Sequence, residues 1–76
     1  MTTLDTLSVG ERAVVVDIVG HDSISSRLME MGVLEGEEME LLGKAPLGDP
    51  LEFSLRGYRL SLRKQEAARV HIDRVN

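Results

Sequence analysis

Nucleophilic catalysis needs a hydroxyl or thiol held beside a base. The chain has no cysteine, and its serines are Ser8, Ser23, Ser25, Ser26, Ser54 and Ser61. None has the Gly-x-Ser-x-Gly setting that lifts a hydroxyl onto a strained elbow. His21 and His71 could serve as general bases, but with no supported nucleophile both read as solvated imidazoles. A phosphate cradle would need a glycine-rich loop between a strand and a helix. Gly20-His21-Asp22-Ser23 has that position and lacks both the further glycines and the lysine. Thirteen acidic residues and two histidines offer hard metal ligands. Asp17 and His21 are four apart, a spacing that aligns side chains only on a helix, and no Glu-x-x-His pair is present. No intrinsic metal site is expected; a weak one would form at His21-Asp22.

Two further groups have surface chemistry. Arg56, Arg59, Arg63 and Lys64 form a mild basic cluster, with Arg59 and Arg63 on one polar strand face. The simpler reading is a solvated edge whose charges discourage strand addition; an acidic partner surface through that face stays open. Ala45-Pro46-Leu47-Gly48-Asp49-Pro50 is a loop stiffened by two prolines, with Leu47 near its tip. Stiff segments lose little entropy when a complex orders them. On the residues alone it reads as a rigid turn over one end of the fold.

Composition narrows the classes further. The chain has 76 residues, 42% hydrophobic and 29% charged, with a net charge of −4. This length suits one domain near the lower limit for folding without disulfides. With one Phe, one Tyr and no Trp, the core must be aliphatic. The acidic balance offers little counterion release on a nucleic acid, and few aromatics are available for base stacking. A nucleic-acid-binding barrel is disfavoured. No apolar run reaches the ~18 residues of a membrane span. Met1-Thr2-Thr3-Leu4-Asp5 lacks a signal peptide's basic start and apolar stretch, so the expected compartment is the cytoplasm.

The elements that must position these residues follow from periodicity. Residues 13–19, Ala-Val-Val-Val-Asp-Ile-Val, are β-branched and apolar and predict a strand. Asp22 or Ser23 can cap a helix. Ile24, Leu28 and Met31 then share one helical face, and Gly32 supplies the left-handed stop, giving a helix over 23–31. Val33 can fold back on the last turn. Gly36 is expected at positive φ in a turn. Met39 and Leu41 alternate with Glu38 and Glu40 in a half-buried strand. Leu51, Phe53 and Leu55 face Tyr58, Leu60 and Leu62 across the two-residue connection Arg56-Gly57, so all six land on one face. Lys64 to Ala68 predicts a single helical turn, and Val70 and Ile72 a last strand. Five short strands, with one helix after the first and one turn before the last, cannot cover both faces of an open sheet. The expected fold is mainly β, a small SH3-like barrel.

Three blocks then become familiar. Arg27-Leu28-Met29-Glu30-Met31-Gly32-Val33-Leu34-Glu35-Gly36, the loop Ala45 to Leu51, and Tyr58-Arg59-Leu60-Ser61-Leu62-Arg63-Lys64-Gln65-Glu66-Ala67 resemble, in order and spacing, the conserved blocks of the FeoA family of ferrous iron transport accessory proteins. The likeness runs from about Leu7 to Val75. It implies an SH3-like barrel without enzymatic activity. The implied partner is a FeoB-type ferrous iron permease, contacted at its cytoplasmic GTP-binding region, with no nucleic acid and no direct membrane insertion. No cofactor is expected; weak direct Fe(II) binding, with an iron-sensing or iron-chaperoning role, is the rival reading. The contact expected from it is a groove beside the 23–31 helix and the 45–50 loop, formed by Leu28, Met31, Pro46, Leu47, Gly48, Asp49, Pro50 and Arg63. Gly32, Gly36 and Gly57 are expected to serve backbone geometry.

Overall fold

The computed structural model describes residues 2–75. A 3-10 turn at Leu4–Thr6 leads into strand β1 (Arg12–Ile18), helix α1 (Ser23–Glu30), strands β2 (Glu38–Lys44), β3 (Leu51–Leu55) and β4 (Tyr58–Leu62), the single-turn helix α2 (Lys64–Ala67) and strand β5 (Val70–Val75). The strands form one antiparallel sheet in the order β4-β3-β2-β1-β5. Its strong curl encloses a core of Leu, Val, Met and Ile around Phe53. This is the expected mainly β, SH3-like architecture, with the 3-10 turn before β1 added to the predicted elements.

The hairpin register follows from its turn. Arg56 and Gly57 both take positive φ, 52° and 84°, the pair of left-handed residues that matches the twist of the flanking strands. Leu55 faces Tyr58, Phe53 faces Leu60 and Leu51 faces Leu62. Met39 and Leu41 extend these rows onto β2 against Leu55 and Phe53, and Ala13 extends the first row onto β1. Tyr58 ends its row at the rim and stays 43% exposed.

Strict alternation along β1 would carry Ala13 and Val15 inward and Asp17 with them. A bulge between Val15 and Asp17 breaks the ladder to β5. It turns Asp17 out to solvent and brings Ile18 against the core. One extra residue is enough to switch faces, because side chains alternate with a period of two.

The segment before β1 also belongs to the core. Leu4 and Leu7 are fully buried. Thr3 bridges His71, and the Ile72 N–H donates to the Thr2 carbonyl at 2.9 Å. The start of the chain therefore covers the outer edge of β5. No strand or helix periodicity marks this segment in the sequence.

Candidate functional site

Helix α1 is short, and three residues from later in the chain hold it: Arg69, Glu66 and Tyr58. At its start, Asp22 is the N-cap: its Oδ1 accepts from the Ser25 N–H at 3.2 Å, and its own N–H donates to Ser25 Oγ at 3.1 Å. Arg69 grips the same carboxylate with two donors, at 2.9 and 2.7 Å. The Arg69 hydrogen bonds first, and the Ser25 N–H second, hold the Asp22 carboxyl well below the usual carboxylate range. Gly20 makes room for this clamp: its φ is +98°, and a Cβ there would stand 2.7 Å from Arg69 Nη1.

At mid-helix, Arg27 pairs with the buried Glu66 of α2. At the end, Gly32 (φ +96°) and Val33 close a Schellman motif, donating to the carbonyls of Met29 and Leu28, both at 3.0 Å. The Tyr58 hydroxyl donates to the Met31 carbonyl at 2.5 Å. Met31 is the cap residue rather than the last helical one, so the helix stops one residue before the expected 31.

Held this way, α1 leaves a groove of about 200 Å³ between itself and β1, lined by Val16, Asp17, Ile18, Met29, Val33, Leu34 and Glu35. Met29 and Leu34 are each 45% exposed. Its walls are apolar, and Asp17 and Glu35 mark it with negative charge. A larger depression of about 300 Å³ on the outer face of β1–β3 is lined by charged residues. There Arg12 pairs with Glu38 at 3.1 Å and Arg56 with Glu37 at 3.4 Å. Both of its arginines are already answered within the chain, so the apolar groove is the better candidate for a contact surface.

The expected contact residues separate in space. Leu28 is fully buried and anchors α1 to the barrel, so it offers a partner no surface. Met31 is half-buried at the helix cap. The 45–50 loop does not border the groove beside α1; that groove faces β1 instead. Within the loop, Leu47 is 98% exposed. Pro46 is exposed and Gly48 has φ +86°. Asp49 Oδ1 accepts from the Lys64 N–H at 3.0 Å, and the Pro50 carbonyl accepts from the Ala45 N–H at 3.0 Å. The loop is thus pinned to the start of α2. Arg63 is exposed, and its N–H donates to Glu66 Oε1 at 2.7 Å. Gly36 and Gly57 take the positive φ expected of them.

The histidines also part company. His21 is exposed in the turn. His71, expected to be solvated, is largely covered, with Nδ1 2.7 Å from Asp17 Oδ1 on the neighbouring strand but not aligned as a hydrogen bond. The Asp22 carboxylate beside His21 is occupied by Arg69 and Ser25, which removes the acceptor a weak metal site would use. Among the described residues, no three His, Asp or Glu side chains gather as a metal would require. Sequence reasoning missed Met29 and Leu34. The signal was present: both are apolar yet lie off the Ile24-Leu28-Met31 face.

Comparison with known proteins covers the whole barrel. The family described as "FeoA domain" matches residues 2–74. A Porphyromonas gingivalis protein, an Fe(2+) transport protein A/Fe(2+) transporter FeoB fusion, is 32% identical over 73 residues; these are 96% of this chain and 9% of that much longer protein. Among solved structures, a FeoA-like protein from Clostridium acetobutylicum superimposes with a TM-score of 0.90 at 37% identity, covering 100% of this chain and 92% of that one. Stenotrophomonas maltophilia FeoA, solved with zinc and described as a prokaryotic SH3-domain protein, gives 0.84 at 36% identity over 96% and 91%.

Proposed function

The chain belongs to the FeoA family, and from that premise we propose that it is a non-catalytic accessory protein of ferrous iron uptake that docks on the cytoplasmic part of a FeoB-type permease and modulates Fe(II) transport. The observation behind this reading is the Porphyromonas gingivalis relative, in which a segment alignable with nearly this whole chain is fused to a FeoB transporter. Fusion holds the two parts at a high effective concentration, and a contact surface on this domain would fix how they meet. The protein would then sit at the cytoplasmic face of the inner membrane through its partner; none of its described helices is long and apolar enough to cross a membrane.

The groove between α1 and β1 suits that task. It presents Met29 on a helix fixed at both ends and Leu34 just past the Gly32 stop, so binding orders little that is not already ordered. The Leu47 tip, with Pro46, Gly48, Asp49 and Pro50 behind it, is a second contact, and Met31 and Arg63 lie near these surfaces as secondary ones. The test is a pull-down with the transporter's cytoplasmic domains. The wild-type chain should retain them, whereas Met29→Asp and Leu34→Asp should lose them while melting within a few degrees of wild type. Equal retention by both variants, or unchanged iron uptake in cells lacking the chain, removes the proposal.

A second reading, direct Fe(II) binding for sensing or chaperoning, draws support from the zinc-bound Stenotrophomonas maltophilia relative. Anaerobic titration with Fe(II), using His21→Ala and His71→Ala as controls, separates the two. Saturable binding below millimolar metal, lost in either variant, would favour this reading.

A further inference from the structure

We propose that the outer edge of β4 accepts an acidic, extended peptide segment as a sixth strand of the sheet. The two edges of the sheet differ. Thr2 and Thr3 cover β5, whereas β4 pairs only with β3. The two-residue turn makes Leu55 and Tyr58 a hydrogen-bonded pair, and bonded pairs recur at every second position. The N–H and C=O groups of Tyr58, Leu60 and Leu62 therefore point to β3. Those of Arg59 and Ser61 point outward, and among the described residues no backbone group meets them.

Unpaired edges are usually guarded by bulges, prolines or charge. The β3–β4 ladder has no register shift, and β4 contains no proline. Charge is the one guard present. Arg59, Ser61 and Arg63 fall on the outer face at a period of two, with Arg56 before them and Lys64 after. The Arg59 side chain is 78% exposed, and its nearest carboxylate, Glu52, is 3.9 Å away. Arg56 is partly answered by Glu37 at 3.4 Å. Asp49 bonds the Lys64 backbone N–H.

Such an edge repels a second copy of itself, because pairing two β4 strands would bring both sets of four cations together. It suits instead a strand with Asp or Glu at alternate positions, whose backbone bonds Arg59 and Ser61 while its carboxylates meet Arg59 and Arg63. Tyr58 offers an apolar shelf at one end. This inference does not depend on which protein fills the α1–β1 groove.

The probe is a hexapeptide alternating glutamate and valine, titrated at low salt and followed by amide NMR. The expected result is shift changes and slowed exchange centred on the Arg59 and Ser61 amides, weakening as salt is raised. Ser61→Pro removes an outward N–H without touching the β3 ladder and should abolish binding. Arg59→Glu, an exposed change that leaves the fold intact, should weaken it roughly tenfold or more. Equal binding by the lysine–valine peptide, shifts centred away from β4, undiminished binding by Arg59→Glu, or dimerisation through β4 would each overturn the proposal.

Discussion

At the scale of single residues, Gly32 and Asp22 hold the two ends of α1. Gly32 needs its positive φ, and a Cβ there would fall 2.5 Å from the Tyr58 hydroxyl. Two penalties therefore combine in Gly32→Ala, which should cost at least ~1 kcal/mol. Tyr58→Phe should cost about 0.5–1.5 kcal/mol through the lost bond to the Met31 carbonyl. In the Tyr58→Phe background the clash is gone and the backbone strain remains, so Gly32→Ala should cost less there. A double-mutant cycle in urea measures that difference. Asp22 sets an acid limit. Its carboxyl is held low in the folded chain by Arg69 and the Ser25 N–H, while the unfolded chain titrates near its ordinary 3.8. The unfolded state thus takes up the proton first as pH falls. The Asp22 contribution is complete above about pH 5 and drains away below the ordinary value as the folded-state carboxyl is approached. Asp22→Asn should lower stability at neutral pH and flatten the loss between about pH 4 and 2, as followed by urea midpoints.

At the scale of elements, the contest is between short helices and the sheet. An isolated helix as short as α1 is unstable in water, so its neighbours must hold it. The Arg69 clamp, the Arg27–Glu66 pair and the Tyr58 hydroxyl do so at start, middle and end. Glu66 joins two of these elements: it is 4% exposed, pairs with Arg27 and accepts from the Arg63 N–H. Glu66→Ala removes a cap of α2 and leaves that N–H without its acceptor. It should destabilise by about 1–3 kcal/mol, and its hydrogen exchange should rise first in α1 and α2. Glu66→Gln, which keeps an acceptor for Arg63, should cost less. The alternation of β3 and β4 made their pairing legible from the sequence, because only one register buries every apolar residue. The bulge in β1 was not legible: it exists to turn Asp17 away from the core, a demand set by neighbouring strands.

At the scale of the whole molecule, the barrel is closed by residues distant in sequence. A domain of this size buries a modest share of its surface, so each core side chain matters. Leu4 and Leu7 plug one end from a segment with no regular strand. Leu4→Ala should cost about 2–5 kcal/mol and lower the melting temperature by at least ~10 °C. A change under ~2 °C would show that the plug is dispensable. The α1–β1 groove is likewise a product of assembly. Met29 is marked in the sequence only as an apolar residue off the helix's core face, and Val16 reaches the groove because it is the extra residue of the bulge.

The sequence by itself determined the strand count, the hairpin register, the helix stop at Gly32 and the family, since these rest on local periodicity, turn chemistry and ordered blocks. Only the tertiary structure decided that Leu28 is core, that the proline loop and the helix do not share a groove, that His71 lies against Asp17, and that one sheet edge is covered while the other is open. These depend on which surfaces meet after the sheet curls, and contacts between distant segments leave no periodic trace along the chain.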